Sequence, residues 1–194
     1  MSELDSVIGL SSLFDEYGTI LQHRYLQEQE LVLCKCETAI VFVSLNGAIT
    51  DSIPLDQGET LVAIHECETG CQILMRNHDR LCLIRNTPAS AERIDFSEPD
   101  PNSNSAVWSP CGRHIAVGHN YDSSVSVWRT DNGKLVWKHS TTWDMDGQCL
   151  QRPDLVVTSW SRDGRYIVTS SKYLIAWSVS IWHSESGEMA AVIK

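Results

Sequence analysis

The stretch SVSVW at residues 124–128 returns as SVSIW at 178–182, and the repetition runs well beyond those five residues. With WSPCGRHIAVGHNYDSSVSVWRTDNGKLVWKHS (108–140) set over WSRDGRYIVTSSKYLIAWSVSIWHSESGEMAAVIK (160–194), Trp108 falls on Trp160, Gly112 on Gly164 and Arg113 on Arg165. Trp128 falls on Trp182 and Gly133 on Gly187 only after two further residues are allowed, which places an insertion inside one turn. Self-similarity of this kind constrains a fold strongly, because each copy has to bury its apolar face against its neighbours.

Each copy reads as a four-stranded antiparallel meander. An apolar strand ends at Trp108 or Trp160, and SPCGR or SRDGR then turns the chain, with glycine free to adopt positive φ. HIAVG or YIVTS leads through a polar turn to SVSVW or SVSIW, where period-two alternation sends valines to one face and serines to the other. TDNG and SESG make the next turn, and KLVWKHS or EMAAVIK forms the fourth strand.

Weaker copies lie upstream. Residues 61–96 hold three alternating strands separated by ETG and NHD, then TPAS and a fourth strand; residues 19–53 divide in the same way around CET and LNG. The expected organisation is an N-terminal segment, 1–18, followed by units at 19–53, 61–96, 106–140 and 156–194. With third strands taken at Phe42, Ile84, Trp128 and Trp182, the spacing is about 40 to 55 residues, the repeat length of β-propeller blades. The fold class is all-β: four-stranded antiparallel blades, about four of them, forming a partial or open propeller.

The third unit resembles the WD-repeat (β-transducin-like) family. In DSSVSVW, Asp122, Ser124, Val125, Val127 and Trp128 stand where that family has its turn aspartate, Ser/Thr, alternating aliphatics and tryptophan, and WSPCGR and WSRDGR are similar to its first turn. The resemblance is strong over 106–194 and rests on strand pattern alone before that. Neither strong unit opens with the family's Gly-His dipeptide, Arg129 and His183 replace the aspartate after the terminal tryptophan, and Ala176 takes the turn aspartate's place in the last unit. An incomplete buried hydrogen-bond network is therefore expected. KYLIAW replaces a polar turn there, as an insertion or a retained non-coding segment does.

The resemblance implies a rigid, non-catalytic platform or adaptor that holds other proteins within a larger complex. It also implies about seven blades, so four point to a fragment or truncated product, a ring completed by another chain, or an open arc. The rim turns carry the expected partner contacts: His119, Tyr121 and Asp122 in the third unit, Tyr173 and Trp177 in the fourth, and Trp143 in TTWDMDGQ between them. Exposed tryptophan is enriched at binding hot spots. Trp108, Trp128, Trp160, Trp182, Gly112, Gly133, Gly164 and Gly187 recur at repeat positions and are expected to be structural. Trp137, in an outer strand, reads either way.

Charge and cysteine usage narrow the function classes. The net charge is −10, and residues 1–100 hold 6 Lys/Arg against 17 Asp/Glu while residues 101–194 hold 9 against 8. No basic stripe is present, which argues against direct nucleic-acid binding. No signal peptide or membrane-length apolar run is visible, and seven scattered cysteines fit reduced thiols, so a cytoplasmic or nuclear location is expected. Cys34, Cys36, Cys67 and Cys71 lack structural-zinc spacing on both sides, no histidine pair has metal spacing, and Asp144 and Asp146 lack the later ligands of a calcium loop; no metal or other cofactor is expected. No nucleophile elbow, phosphate loop or zinc-peptidase motif appears. The enzyme alternative is the propeller of a prolyl-peptidase-like hydrolase without its catalytic domain, and a truncated non-functional product is a third reading. Residues 3–16 carry a partial apolar stripe that suits a short helix capping the first unit's edge or, as the second reading, serving as a docking segment for another protein.

Overall fold

Period-two alternation becomes sixteen strands among the described residues. The structure, a computed structural model, describes residues 15–67, 70–78, 80–87, 90–99, 103–119, 124–140, 154–173 and 176–193. The first sheet comprises β1 (Gln22–Leu26), β2 (Leu31–Lys35), β3 (Ala39–Ser44) and β4 (Ile49–Pro54); the second, β5 (Glu59–Cys67), β6 (Gly70–Asn77), β7 (Arg80–Thr87) and β8 (Ser90–Pro99). The third holds β9 (Ser103–Trp108), β10 (His114–His119), β11 (Ser124–Arg129) and β12 (Leu135–Ser140), and the fourth β13 (Asp154–Trp160), β14 (Tyr166–Tyr173), β15 (Ala176–His183) and β16 (Met189–Ile193). Every sheet is antiparallel with its strands in chain order, and the sequence units fall one to a sheet. The first strand β9 lies beside β5 on one side and β13 on the other. The arrangement is that of blades in a partial β-propeller.

Stacking follows from sheets that are apolar on both faces. Leu26, Leu33, Ile40 and Phe42 of the first sheet pack on Ile73, Met75, Cys82 and Ile84 of the second. Leu74, Leu83, Ile94 and Phe96 on the second sheet's other face meet Ile115, Val117 and Trp128 of the third. The third sheet's far face, with Ala116, Val125, Val127 and Trp137, meets Val157, Ile167 and Trp182 of the fourth. SVSVW is thus buried on both faces: its valines point to the fourth sheet, and Ser124 and Ser126 are buried with Trp128 on the side of the second.

One landmark shifts by a residue. The bulge that follows the third strand lies at Val127/Trp128 and Ile181/Trp182, and its counterpart in the first sheet lies at Phe42/Val43. Val43, not Phe42, is the equivalent of the two tryptophans, and Phe42 faces the opposite way, into the second sheet. A one-residue slip exchanges the faces of a strand, so Phe42, though larger, marks the wrong side.

The turns of the third and fourth sheets are built alike. Ser109 Oγ accepts from His114 N–H (3.0 Å) and Ser161 Oγ from Tyr166 N–H (2.9 Å), closing the SPCGR and SRDGR turns. Thr130 Oγ1–H then donates to the Gly112 carbonyl (2.8 Å) and Ser184 Oγ–H to that of Gly164 (2.7 Å), tying the third strand's end to the first turn. Gly133 and Gly187 have φ of 65° and 71°, and each sits where the preceding sheet's outer strand leans in. A Cβ at Gly133 would collide with the Asp95 carbonyl, and one at Gly187 with Trp137 and His139. Only glycine meets both demands.

The outer face of the first sheet, with Val32, Cys34, Cys36, Val41 and Val43, is covered by Tyr17 and Ile20. Residues 15–17 form a single helical turn, and Tyr17 and Ile20 lie over a sheet face; most of the expected 3–16 helix falls outside the described residues.

Candidate interaction surface

His119 is not a rim contact. It is the last residue of β10, 2% exposed, and its Nε2 shares a 2.6 Å hydrogen bond with Ser126 Oγ, which also accepts the Trp128 indole N–H at 2.6 Å. The polar residues that follow it suggest a turn position; strand pairing of His119 with Ser124 instead carries it inward. The expected gap in the buried polar network is filled in this sheet by His119, Ser126 and Trp128. Tyr121, Asp122, Trp143, Asp144 and Asp146 lie outside the described residues.

The fourth sheet solves the same problem with other atoms. Ser171 occupies the place of His119 and Thr169 that of Val117; Trp182 Nε1–H donates to Thr169 Oγ1 (2.9 Å), while Ser171 and Ser178 hydroxyls pair at 2.7 Å. Beyond Ser171 the two strands continue, with Lys172 opposite Trp177 and Tyr173 opposite Ala176. Lys172, Tyr173, Ala176 and Trp177 of KYLIAW therefore lengthen a hairpin by strand pairing. In the third sheet four residues, 120–123, separate the last pair; in the fourth only two, 174–175, do.

This lengthening lifts Trp177 into solvent. Trp177 is 62% exposed, and the Lys172 ammonium sits 5.4 Å from the ring centroid in a cation–π contact. Alternation along β15 puts Trp177, Val179 and Ile181 on the outward face, with Ser178, Ser180 and Trp182 turned to the third sheet. Tyr173 is the last residue of β14 in this hairpin. Among the residues expected to be structural, Trp108 stacks on His65 and donates to Gln72 Oε1 (2.8 Å), and Trp160 donates to the Val107 carbonyl (3.0 Å). Each of these two ties its sheet to the preceding one. Trp137 resolves as an anchor too, donating to the Ser184 carbonyl at 2.8 Å.

The titratable groups are mostly engaged in packing. Burial raises the Cys34 thiol to about 11 and the Cys71 and Cys82 thiols to about 12, so none of the three supplies a thiolate near neutrality. Among the described residues no group of three or more His, Cys, Asp or Glu side chains could hold a metal ion, and no helix is long and apolar enough to cross a membrane. Glu59 is fully buried in the second sheet, where Arg93 meets one carboxylate oxygen at 2.5 Å and Asp56 N–H the other at 3.0 Å. A cavity of about 270 Å³ lined by Asn77, His78, Arg80, Cys82, Arg93 and Asp95 opens beside that pair. Burial against Trp108 lowers the His65 pKa below the ordinary 6.5, and at the exposed turn Ser161 and Arg165 hold Asp163 down at about 2.

No family model matches the sequence, and no curated protein matches it. Solved structures do match the fold. Hydrazine synthase of Kuenenia stuttgartiensis superposes with a TM-score of 0.65 at 14% identity, over 91% of this chain and 49% of that one. A protein of unknown function from Bacteroides caccae gives 0.59 at 11% identity, over 86% and 58%, and a functionally unknown protein from Desulfotomaculum acetoxidans 0.59 at 13%, over 90% and 56%. The chain spans about half the length of these structures. At such identities the likeness establishes a shared fold, that of a partial β-propeller.

Proposed function

We propose that this chain is a WD-repeat-like, non-catalytic platform for protein–protein interaction that works within a larger assembly in the cytoplasm or nucleus. The observation that carries the reading is the β14–β15 hairpin, which spends two extra strand pairs on holding Trp177 in water beside Lys172. Leaving an indole exposed is costly unless a partner covers it, and tryptophan with a neighbouring cation is a frequent hot-spot composition. Pairing of Trp177 with Lys172, between Ala176 opposite Tyr173 and Ser178 opposite Ser171, holds its backbone in place, which lowers the entropy cost of binding. Buried high-pKa thiols and paired carboxylates elsewhere agree with a structural use of the reactive side chains. The six described cysteines are unpaired, in keeping with a reducing compartment.

The test is recovery of partners from a cell extract by the intact chain, by Trp177→Ala and by Trp143→Ala. Loss of the same partner with Trp177→Ala, at an unchanged unfolding midpoint, is the expected outcome. Recovery unchanged from that of the intact chain in both variants removes this surface from the function.

A further inference from the structure

The cavity of about 270 Å³ in the second sheet is lined by Asn77, His78 and Arg80 at the β6–β7 hairpin, by Cys82 of β7, and by Arg93 and Asp95 of β8. Two of these side chains are already committed to the protein. The Arg93 guanidinium meets the buried Glu59 carboxylate at 2.5 Å, Asp95 Oδ1 at 3.5 Å and Asp56 Oδ2 at 3.8 Å. The Cys82 thiol, raised by burial to about 12, stays neutral and gives the cavity an uncharged wall. Three other groups are left open. Arg80 is exposed and makes no ion pair among the described residues. Asp95 touches Arg93 only at that longer distance, and its carboxylate is 70% exposed. Asn77 Oδ1 is a buried oxygen with no hydrogen-bond partner among the described residues. Such an oxygen has lost its water and gained no donor in exchange. Strand pairing brings the three together: Asn77 lies opposite Arg80, and Asp95 opposite Cys82, with directly opposed side chains starting about 5 Å apart.

We infer that this cavity binds a free α-amino acid with a small side chain, its carboxylate on Arg80 and its ammonium between Asn77 Oδ1 and Asp95. The chemistry of the open groups selects the ligand. One of them is a cation and two are acceptors. An oxyanion would serve Arg80 and leave the Asn77 oxygen buried without a donor, while a simple amine would leave the guanidinium unmet. A molecule with an ammonium and a carboxylate on one carbon serves all three, and a carboxylate fits the guanidinium fork through two parallel hydrogen bonds. Size agrees with this choice: the cavity is roughly nine times the liquid-volume share of one water and smaller than the sites of drug-sized ligands. His78 bounds the ligand's side chain. It stands at the hairpin with φ of 50°, a left-handed conformation uncommon outside glycine, and its ring lies 3.4 Å from where a Cβ at Gly58 would stand. The inference goes beyond the platform reading and does not rest on it, because the cavity is in the second sheet and Trp177 in the fourth.

The test is isothermal titration of the full chain with glycine and L-alanine, with acetate, methylammonium and inorganic phosphate as comparison probes. One saturable site per chain is the expected result for L-alanine, and acetate and methylammonium should each bind at least about tenfold more weakly, since each leaves half of the site unmet. Arg80→Gln and Asn77→Leu should each weaken L-alanine at least about tenfold. Arg162→Gln, which removes the same charge from an exposed turn of the fourth sheet, should leave the affinity unchanged. An unfolding midpoint within about 2 °C of the parent certifies the fold of each variant, and Asn77→Ser replaces Asn77→Leu if the larger change fails that check. No binding of glycine or L-alanine at about 10 mM overturns the inference. So does phosphate or methylammonium binding as tightly as L-alanine, or an L-alanine affinity that Arg80→Gln leaves untouched.

Discussion

The third and fourth sheets share their turns, their tryptophans and their packing glycines, yet they differ in the polar row between the second and third strands and in the length of the hairpin that joins those strands. In the third sheet one serine hydroxyl serves both His119 and Trp128; in the fourth, Trp182 turns to Thr169 and two serines pair with each other. The positions that fill space between sheets are thus held, while the polar groups beside them are exchanged freely as long as each finds a partner. Divergence accumulates where no neighbouring sheet constrains it. The hairpin tip is such a place, and there the fourth sheet carries Trp177.

The comparison can be broken most forcefully at its shared parts. Gly133→Val and Gly187→Val should each cost about 3 kcal/mol or more, because a side chain at positive φ would also strike Asp95 or Trp137 and His139 of the preceding sheet. Urea unfolding monitored by circular dichroism measures both, and a cost under 1 kcal/mol for either, on the order of an ordinary surface change, would show that the sheets do not stack as described. The polar rows come next. Ser126→Ala removes the oxygen used by two buried groups and should cost about 2 kcal/mol, whereas Thr169→Val, which touches only the Trp182 indole, should cost about 1 kcal/mol. Reversal of that order in the same unfolding assay would mean that the third sheet's row is not the tighter one.

A pH titration probes the contact between the second and third sheets. The His65 pKa is depressed by burial, so its neutral form is favoured in the folded state, and the unfolded chain takes up the proton first. The corresponding stability is complete above about pH 6.5 and is lost progressively as pH falls below it. In His65→Phe, which keeps the stacking on Trp108, that part of the pH dependence should flatten; an unchanged profile of unfolding midpoint against pH would assign it elsewhere. The smallest expected effect is that of Trp177→Ala on stability, within about 0.5 kcal/mol, because the exposed ring packs on little besides Lys172.

Much of the fold was legible because both signals it needs are local. Trp108, Trp160 and their following Ser-x-x-Gly turns announce themselves by repetition, and β-strand alternation delimits the weaker first two sheets. What escaped is what depends on register. Phe42 looked like the bulky third-strand landmark, but one residue decides which face it serves, and only the bulge at Phe42/Val43 reveals that. His119 looked like a turn residue for the same reason: its burial follows from pairing with Ser124, across a gap whose length no pattern specifies. Trp177 was legible as a candidate contact from residue type alone; that its neighbours extend two strands required the pairing of β14 with β15.

The account turns on Trp177 being the tryptophan that partners cover. Fluorine NMR of the 5-fluorotryptophan-labelled chain, with the resonance assigned through Trp177→Phe, reads this directly when a soluble paramagnetic agent is added before and after the partner. The account predicts strong broadening of the Trp177 signal in the free chain and its protection in the complex, with Trp128 and Trp182 unaffected in both. A Trp177 signal that is protected in the free chain, or that stays broadened when the partner is bound, would contradict it.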